Sequence, residues 1–170
     1  EEAIRRGYRL AITLDQDTKT DCFFITRIVT LYEKLIERDK SIAVLGANYI
    51  DRGVGKPAYS VDASNGAIAV KELITSGSLI PLDIFTSLSG FEEKLFIDMV
   101  DTEYCLRARK AGYSIWRTAA PLMYHSVGNV TICNVGAFRF TLPNHLPQRR
   151  YYIFRNTLYV ALKYGFFDPM

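Results

Sequence analysis

Apolar residues recur at Phe24, Ile28, Leu31, Leu35 and Ile36, a period that predicts one buried face of a helix over Asp21 to Arg38. Asp21 stands where a helix cap would. Upstream, Arg9 to Leu14 is a short β-prone run that ends in the polar loop Asp15-Gln16-Asp17-Thr18. Downstream, Ser41 to Ile50 has the pattern of a buried strand, and the Gly, Pro, Ser and Asn of Asp51 to Gly66 predict a loop or irregular hairpin. Ala67 to Ile74 is again β-prone, Thr75-Ser76-Gly77-Ser78 reads as a turn with exposed backbone donors, and a helix is expected from about Pro81 to Gly90. Asp101 to Lys110 predicts a third helix closed by Gly112, followed by two short strands, Tyr113 to Thr118 and Leu122 to His125. A last helix is expected from Gln148 to Tyr164, within an amphipathic C-terminal segment, 148–170.

Strands alternating with helices predict an α/β domain, a layered sheet with flanking helices, and no internal repeat interrupts it. A chain of 170 residues, 49% hydrophobic, can bury the core of one domain, and one domain over 1–170 is the expectation. Glu1 to Gly7 reads as the last turns of a helix closed by glycine, so the chain is expected to start in mid-fold. The net charge of +3 is a small excess over many charges of both signs and gives no argument for a nucleic-acid partner. Cys22, Cys105 and Cys133 lie far apart without a CxxC pair, which supports neither a zinc knuckle nor a disulfide framework and fits a reducing cytoplasm. With no basic-then-apolar leader and no apolar run near the roughly 20 residues that cross a bilayer, the chain as given is expected to be soluble or peripheral.

Four groups carry candidate chemistry. Asp15 and Asp17 flank Gln16, so on an extended backbone both carboxylates leave on one side and can share a hard cation, Mg²⁺ or Mn²⁺. They can equally be loop aspartates that cap the next helix. In Phe96 to Glu103, acids crowd a helix start, where the dipole favours ionised carboxylates; Asp101 fits a general base and also an N-cap. His125 follows a β-prone run in Met123-Tyr124-His125-Ser126-Val127-Gly128 and can complete a metal shell, which would favour Mn²⁺, or simply pack. Gln148-Arg149-Arg150-Tyr151-Tyr152-Ile153-Phe154-Arg155-Asn156 can meet a diphosphate with its arginines and a sugar with its tyrosines, or snorkel at the edge of the core or at a membrane surface.

Taken in order, LDQDT, ITSGSLIPLDIF, FEEKLFIDMVDTEYCLRARKAGY, MYHSVG and QRRYYIFRN resemble the rhamnosyltransferase branch of the family 2 glycosyltransferases over nearly the whole chain. That resemblance implies a GT-A fold, Rossmann-like, with its first nucleotide-binding strands lacking, and weak donor binding or none in their absence. It implies inverting transfer from a nucleotide-sugar donor, dTDP-L-rhamnose, to a cell-surface polysaccharide or lipid-linked saccharide at the inner face of the bacterial inner membrane. By the same resemblance, Asp17, Asp15 and His125 hold the divalent metal and Asp101 is the base. Asp15, Arg149, Arg150, Tyr151 and Arg155 would face the donor, and Ser76, Gly77, Ser78, Asp98 and Glu103 the acceptor. Val100 stands where many relatives carry a first acid beside the base. Two rival readings remain: a non-catalytic sugar- or polyprenyl-phosphate-binding module at the membrane, and a metal-dependent nucleotidyl- or phosphotransferase, which would lack a P-loop since no GxxxxGK[ST] occurs.

Overall fold

The computed structural model describes residues 2–61, 66–126, 130–135, 138–143 and 146–165, with side chains described outside 130–145. Val127 and Gly128 of the histidine motif, the loop residues 62–65 and the tail 166–170 lie outside the described residues, as does the side chain of Cys133. Helix α1 (Glu2–Arg5) is closed by Gly7 at φ +74°, as the opening residues predict. There follow β1 (Leu10–Thr13), β2 (Lys19–Thr20), α2 (Phe24–Ile36), β3 (Ile42–Asp51), β4 (Lys56–Pro57), β5 (Ala67–Ala69), β6 (Ser78–Pro81), α3 (Leu82–Ser87), a 3-10 turn (Glu93–Leu95) and α4 (Val100–Lys110). The chain continues through β7 (Ser114–His125), β8 (Val130–Val135), β9 (Phe138–Pro143) and α5 (Pro147–Tyr164).

Among the described residues, β1 to β7 form one mixed sheet in the order β1-β6-β3-β7-β2, with β4 against the end of β3 and β5 against β7. The central pair, β3 and β7, is parallel, while β6 runs antiparallel between β1 and β3. Burial on both faces explains the unbroken apolar run of β3. Ile42, Leu45, Ala47 and Tyr49 pack under Phe24, Ile28 and Leu35 of α2. Ala43 and Val44 face the other way, against Ile80, Ile115 and the α4 residues Tyr104, Cys105 and Ala108. Two consecutive residues share that second face because the register with β7 shifts between Ile42 and Val44. The outcome is a layered α/β domain, compatible with a Rossmann-like arrangement.

Several expectations need correction. Ser78 to Pro81 is a buried strand, not the end of a turn, and α3 begins after Pro81. Its four residues are too few for a periodic signal, and they pair with both β1 and β3. The two expected strands near the end of the sheet are one twelve-residue strand, β7, whose irregular register beside Asn48 absorbs Pro121. Asp21 lies upstream of the cap position; its carboxylate accepts the Phe23 N–H and pairs with Arg27. The β3–β4 pairing at Ile50–Pro57 and Asp51–Lys56 makes the expected irregular hairpin. No described helix is long and apolar enough to cross a membrane.

Glu103, expected at the acceptor, is instead fully buried on α4, and its carboxylate accepts from Arg107 (2.8 Å), Lys163 (3.0 Å) and Tyr164 (2.5 Å). Arg107 also reaches the carbonyls of Leu88 and Gly90, so this cluster ties α4, α5 and the segment after α3 together and leaves Glu103 no face for a ligand. Burial alone pushes the Glu103 carboxyl up, but the hydrogen bonds from Arg107, Tyr164 and Lys163 outweigh it and hold the pKa below the ordinary value of 4.5. Its stabilising contribution is therefore complete above that value and lost as pH falls through the lower folded pKa. Glu103→Gln is expected to cost about 3 kcal/mol at pH 7, because it takes the shared anion from the half-buried Arg107 and from Lys163 and Tyr164. The difference from wild type should shrink on acidification below about pH 4, measured by urea unfolding at each pH.

Candidate metal and catalytic site

The polar loop between β1 and β2 is a tight turn, closed by the Thr18 N–H on the Asp15 carbonyl at 3.1 Å. The extended backbone expected for Asp15 and Asp17 is therefore not what aligns them. What aligns them is β2, whose Lys19 and Thr20 pair with Tyr124 and Met123 of β7 and so lay the turn beside His125. One ligand atom each from Asp15, Asp17 and His125 falls within 4.8 Å of the other two. His125 Nδ1 lies 3.6 Å from the Asp17 carboxylate and 3.2 Å from Thr18 Oγ1. Tyr49 packs edge-on against the imidazole at 5.4 Å and fixes its plane.

A divalent cation fits this donor set. Two carboxylates and one imidazole match Mn²⁺ better than Mg²⁺, which favours oxygen, and three protein ligands leave positions for water and phosphate oxygen. An octahedral shell with bonds of about 2.1 Å spans about 4.2 Å across. With all three ligand atoms within 4.8 Å of one another, closing on one cation calls for the two exposed aspartates to turn inward.

The turn before β6 braces this loop from beneath. Ser76 is buried; its Oγ accepts the Asp15 N–H at 3.1 Å and lies 2.6 Å from Thr18 Oγ1. Gly77 donates its N–H to the Thr13 carbonyl and accepts from the Ala47 N–H. It sits at φ +73°, and an added Cβ would lie 2.4 Å from Met123 Sδ, so only glycine fits there. Ser78 is likewise buried, its hydroxyl on the Ile74 carbonyl. The three residues expected to line the acceptor side thus hold the aspartate loop in place.

Thr75, one position earlier, reaches the second half of the site. Its backbone lies beside the Asp101 carboxylate, the two residues lining one crevice; the Thr102 N–H donates to that carboxylate at 2.9 Å, and the backbone N–H groups of Thr102, Asp101 and Thr75 all act to lower its pKa. Burial outweighs these bonds and, with the nearby charge of Asp98, raises the Asp101 pKa above the ordinary value of 3.8. The N-cap of α4 is Met99, in the left-handed region, so Asp101 is a second-position helix residue rather than the cap. Asp101 lines a narrow crevice with Leu73, Thr75, Phe91 and Cys105.

On α5, Arg149 and Asp98, expected to serve donor and acceptor separately, form a two-pronged ion pair at 2.9 and 3.1 Å. Arg155 gives its donors to the carbonyls of Lys94 and Leu95 and to Asn156, a structural use rather than a free phosphate fork. Arg150 and Tyr151 are exposed. Thr18 and Asn156, to which the sequence pattern assigned no role, are part of this scaffold. Thr18 lies inside the motif LDQDT, yet only the tertiary pairing of β2 with β7 brings its hydroxyl between Ser76 and His125.

The comparison with known proteins agrees with this arrangement at the level of class: it supports a glycosyltransferase. The similar curated protein is the dTDP-rhamnosyl transferase RfbF of Shigella flexneri, 28% identical over 174 residues, a match that takes in 95% of this chain and 56% of that protein. This chain thus spans little more than half the length of that relative. No protein-family model matches the chain.

Titration with Mn²⁺ is expected to give one site of highest affinity that Asp17→Asn abolishes. Ser76→Ala, which frees the Asp15 N–H and the Thr18 hydroxyl, should weaken it about tenfold. Calorimetry on folded variants checks both; equal affinity in Asp17→Asn and wild type would place the cation elsewhere.

Proposed function

We propose that the chain carries the metal and base halves of an inverting glycosyltransferase, of the family 2, GT-A type, that uses dTDP-L-rhamnose. Its acceptor is a hydroxyl of a cell-surface polysaccharide or lipid-linked saccharide, presented at the inner face of the bacterial inner membrane. The observation that carries the reading is the turn at Thr75 and Ser76, which lies against both the cation-competent loop and the half-buried Asp101 carboxylate and so supports treating them together. The likeness to a dTDP-rhamnosyl transferase supports the donor.

In this reading the acceptor oxygen attacks the anomeric carbon as its proton passes to the Asp101 carboxylate. The bond from that carbon to the diphosphate oxygen breaks on the opposite face, and the electron pair leaves with the nucleoside diphosphate, so the anomeric configuration inverts. A divalent cation held by Asp15, Asp17 and His125 would supply charge neutralisation for that leaving group. Burial serves Asp101 here, because a raised pKa makes the carboxylate a better proton acceptor.

Asp101→Asn is expected to lower transfer by at least about a hundredfold while Mn²⁺-dependent donor binding stays within about twofold of wild type. Release of dTDP and calorimetry with dTDP-rhamnose read the two quantities. Transfer at a rate close to wild type would assign the base to another residue.

A further inference from the structure

Asn156 is fully buried in the middle of α5, although an apolar residue would pack the same face at less desolvation cost. Its polar atoms are all engaged. Nδ2 donates to the carbonyls of Leu95 (2.8 Å), Ile97 (2.7 Å) and Asp98 (3.0 Å), and Oδ1 accepts Arg155 Nε at 2.9 Å. Arg155 adds Nη2 to the carbonyls of Lys94 (2.7 Å) and Leu95 (3.2 Å), its guanidinium resting 4.7 Å from the Tyr152 ring centroid.

The segment so gripped is strained. Phe96, Asp98 and Met99 have φ of +60°, +62° and +64°, although none is glycine, and such conformations persist only where the surroundings over-determine them. Met99 is also the N-cap of α4, its carbonyl accepting the first helical bond, from Glu103 N–H at 2.9 Å. Asp101 follows two residues later. The direction in which α4 leaves this turn therefore decides whether the Asp101 carboxylate lies against the Thr75 backbone in their shared crevice.

We infer that Asn156, seconded by Arg155, is a positioning residue for Asp101, holding the left-handed turn at Phe96–Met99 so that α4 delivers the carboxylate against the Thr75 backbone. The inference rests on the proposed role of Asp101 as base. An asparagine is the side chain this position requires, since aspartate would turn an anion toward three carbonyls and leucine would take from those of Ile97 and Asp98 the donor they have here. The Asp15, Asp17 and His125 cluster stands on β1, β2 and β7 and does not depend on this turn.

The experiment takes the full chain with Asn156→Ser, Mn²⁺ as the cation and dTDP-rhamnose as the donor. The carboxyl titration of Asp101, followed by carbon-13 NMR, is expected to move down toward the ordinary aspartate value as the start of α4 loosens. Mn²⁺ affinity should stay within about twofold and donor KM within about threefold, while kcat falls about a hundredfold, the scale of a misplaced catalytic group. If Asn156→Ser does not fold, Arg155→Met removes the outer part of the grip and should shift the titration and kcat in the same direction, by about tenfold in kcat. An unchanged Asp101 titration in a folded variant would overturn the inference. So would kcat and Mn²⁺ affinity falling by the same factor, the mark of general unfolding. The titration needs no turnover, so absence of transfer in the wild-type chain counts against the proposed function and not against this measurement.

Discussion

Two consecutive residues, Thr75 and Ser76, touch both parts of the site: Thr75 lines one crevice with Asp101, and the Ser76 hydroxyl sits under the Asp15 N–H. That turn lies between the aspartate loop of β1–β2 and the N-terminus of α4. The turn in turn depends on Gly77, whose positive φ and crowded Cβ position set the entry into β6, and on β6 lying between β1 and β3. Sheet order and site geometry are thus one constraint seen twice. The cation-competent loop and the candidate base come from opposite halves of the chain, and the pairing of β1 with β6, next to the Thr75–Gly77 turn, brings them near each other.

From the C-terminal side, α5 holds the same helix. Glu103 with Arg107, Lys163 and Tyr164 fixes the body of α4 to α5, and Asn156 with Arg155 fixes the turn that begins it. A buried ion cluster of this kind is weak evidence for stability but strong evidence for a defined arrangement, since losing one member strands the rest. Here it sets the angle of a helix whose second residue is the proposed base.

The long periodic elements were legible in the sequence because their burial is one-sided and repeated, as in α2 from Phe24 to Ile36, or continuous, as in the apolar run of β3. The four residues of β6 were not, because a strand that short carries no period and is specified by its two partners. The aspartates and His125 were legible as candidates by residue type, while their convergence depended on β2, two residues long, pairing with the end of β7. Glu103 misled for a physical reason: an acid in the first turn of a helix looks the same in sequence whether it faces a ligand or is buried under three donors of its own chain. Its partners Lys163 and Tyr164 lie about sixty residues away, beyond any local pattern.

If a cation site and the Asp101 carboxylate share one small volume around the Thr75–Ser76 turn, amide resonances broadened by substoichiometric Mn²⁺ will show it most directly, because paramagnetic broadening falls steeply with distance. The amides of Asp15, Thr18, Ser76 and Thr102 are predicted to disappear first, while those of α2 and of α5 beyond Asn156 persist. Broadening centred on another acidic surface, with Ser76 and Thr102 left sharp, would contradict a shared site.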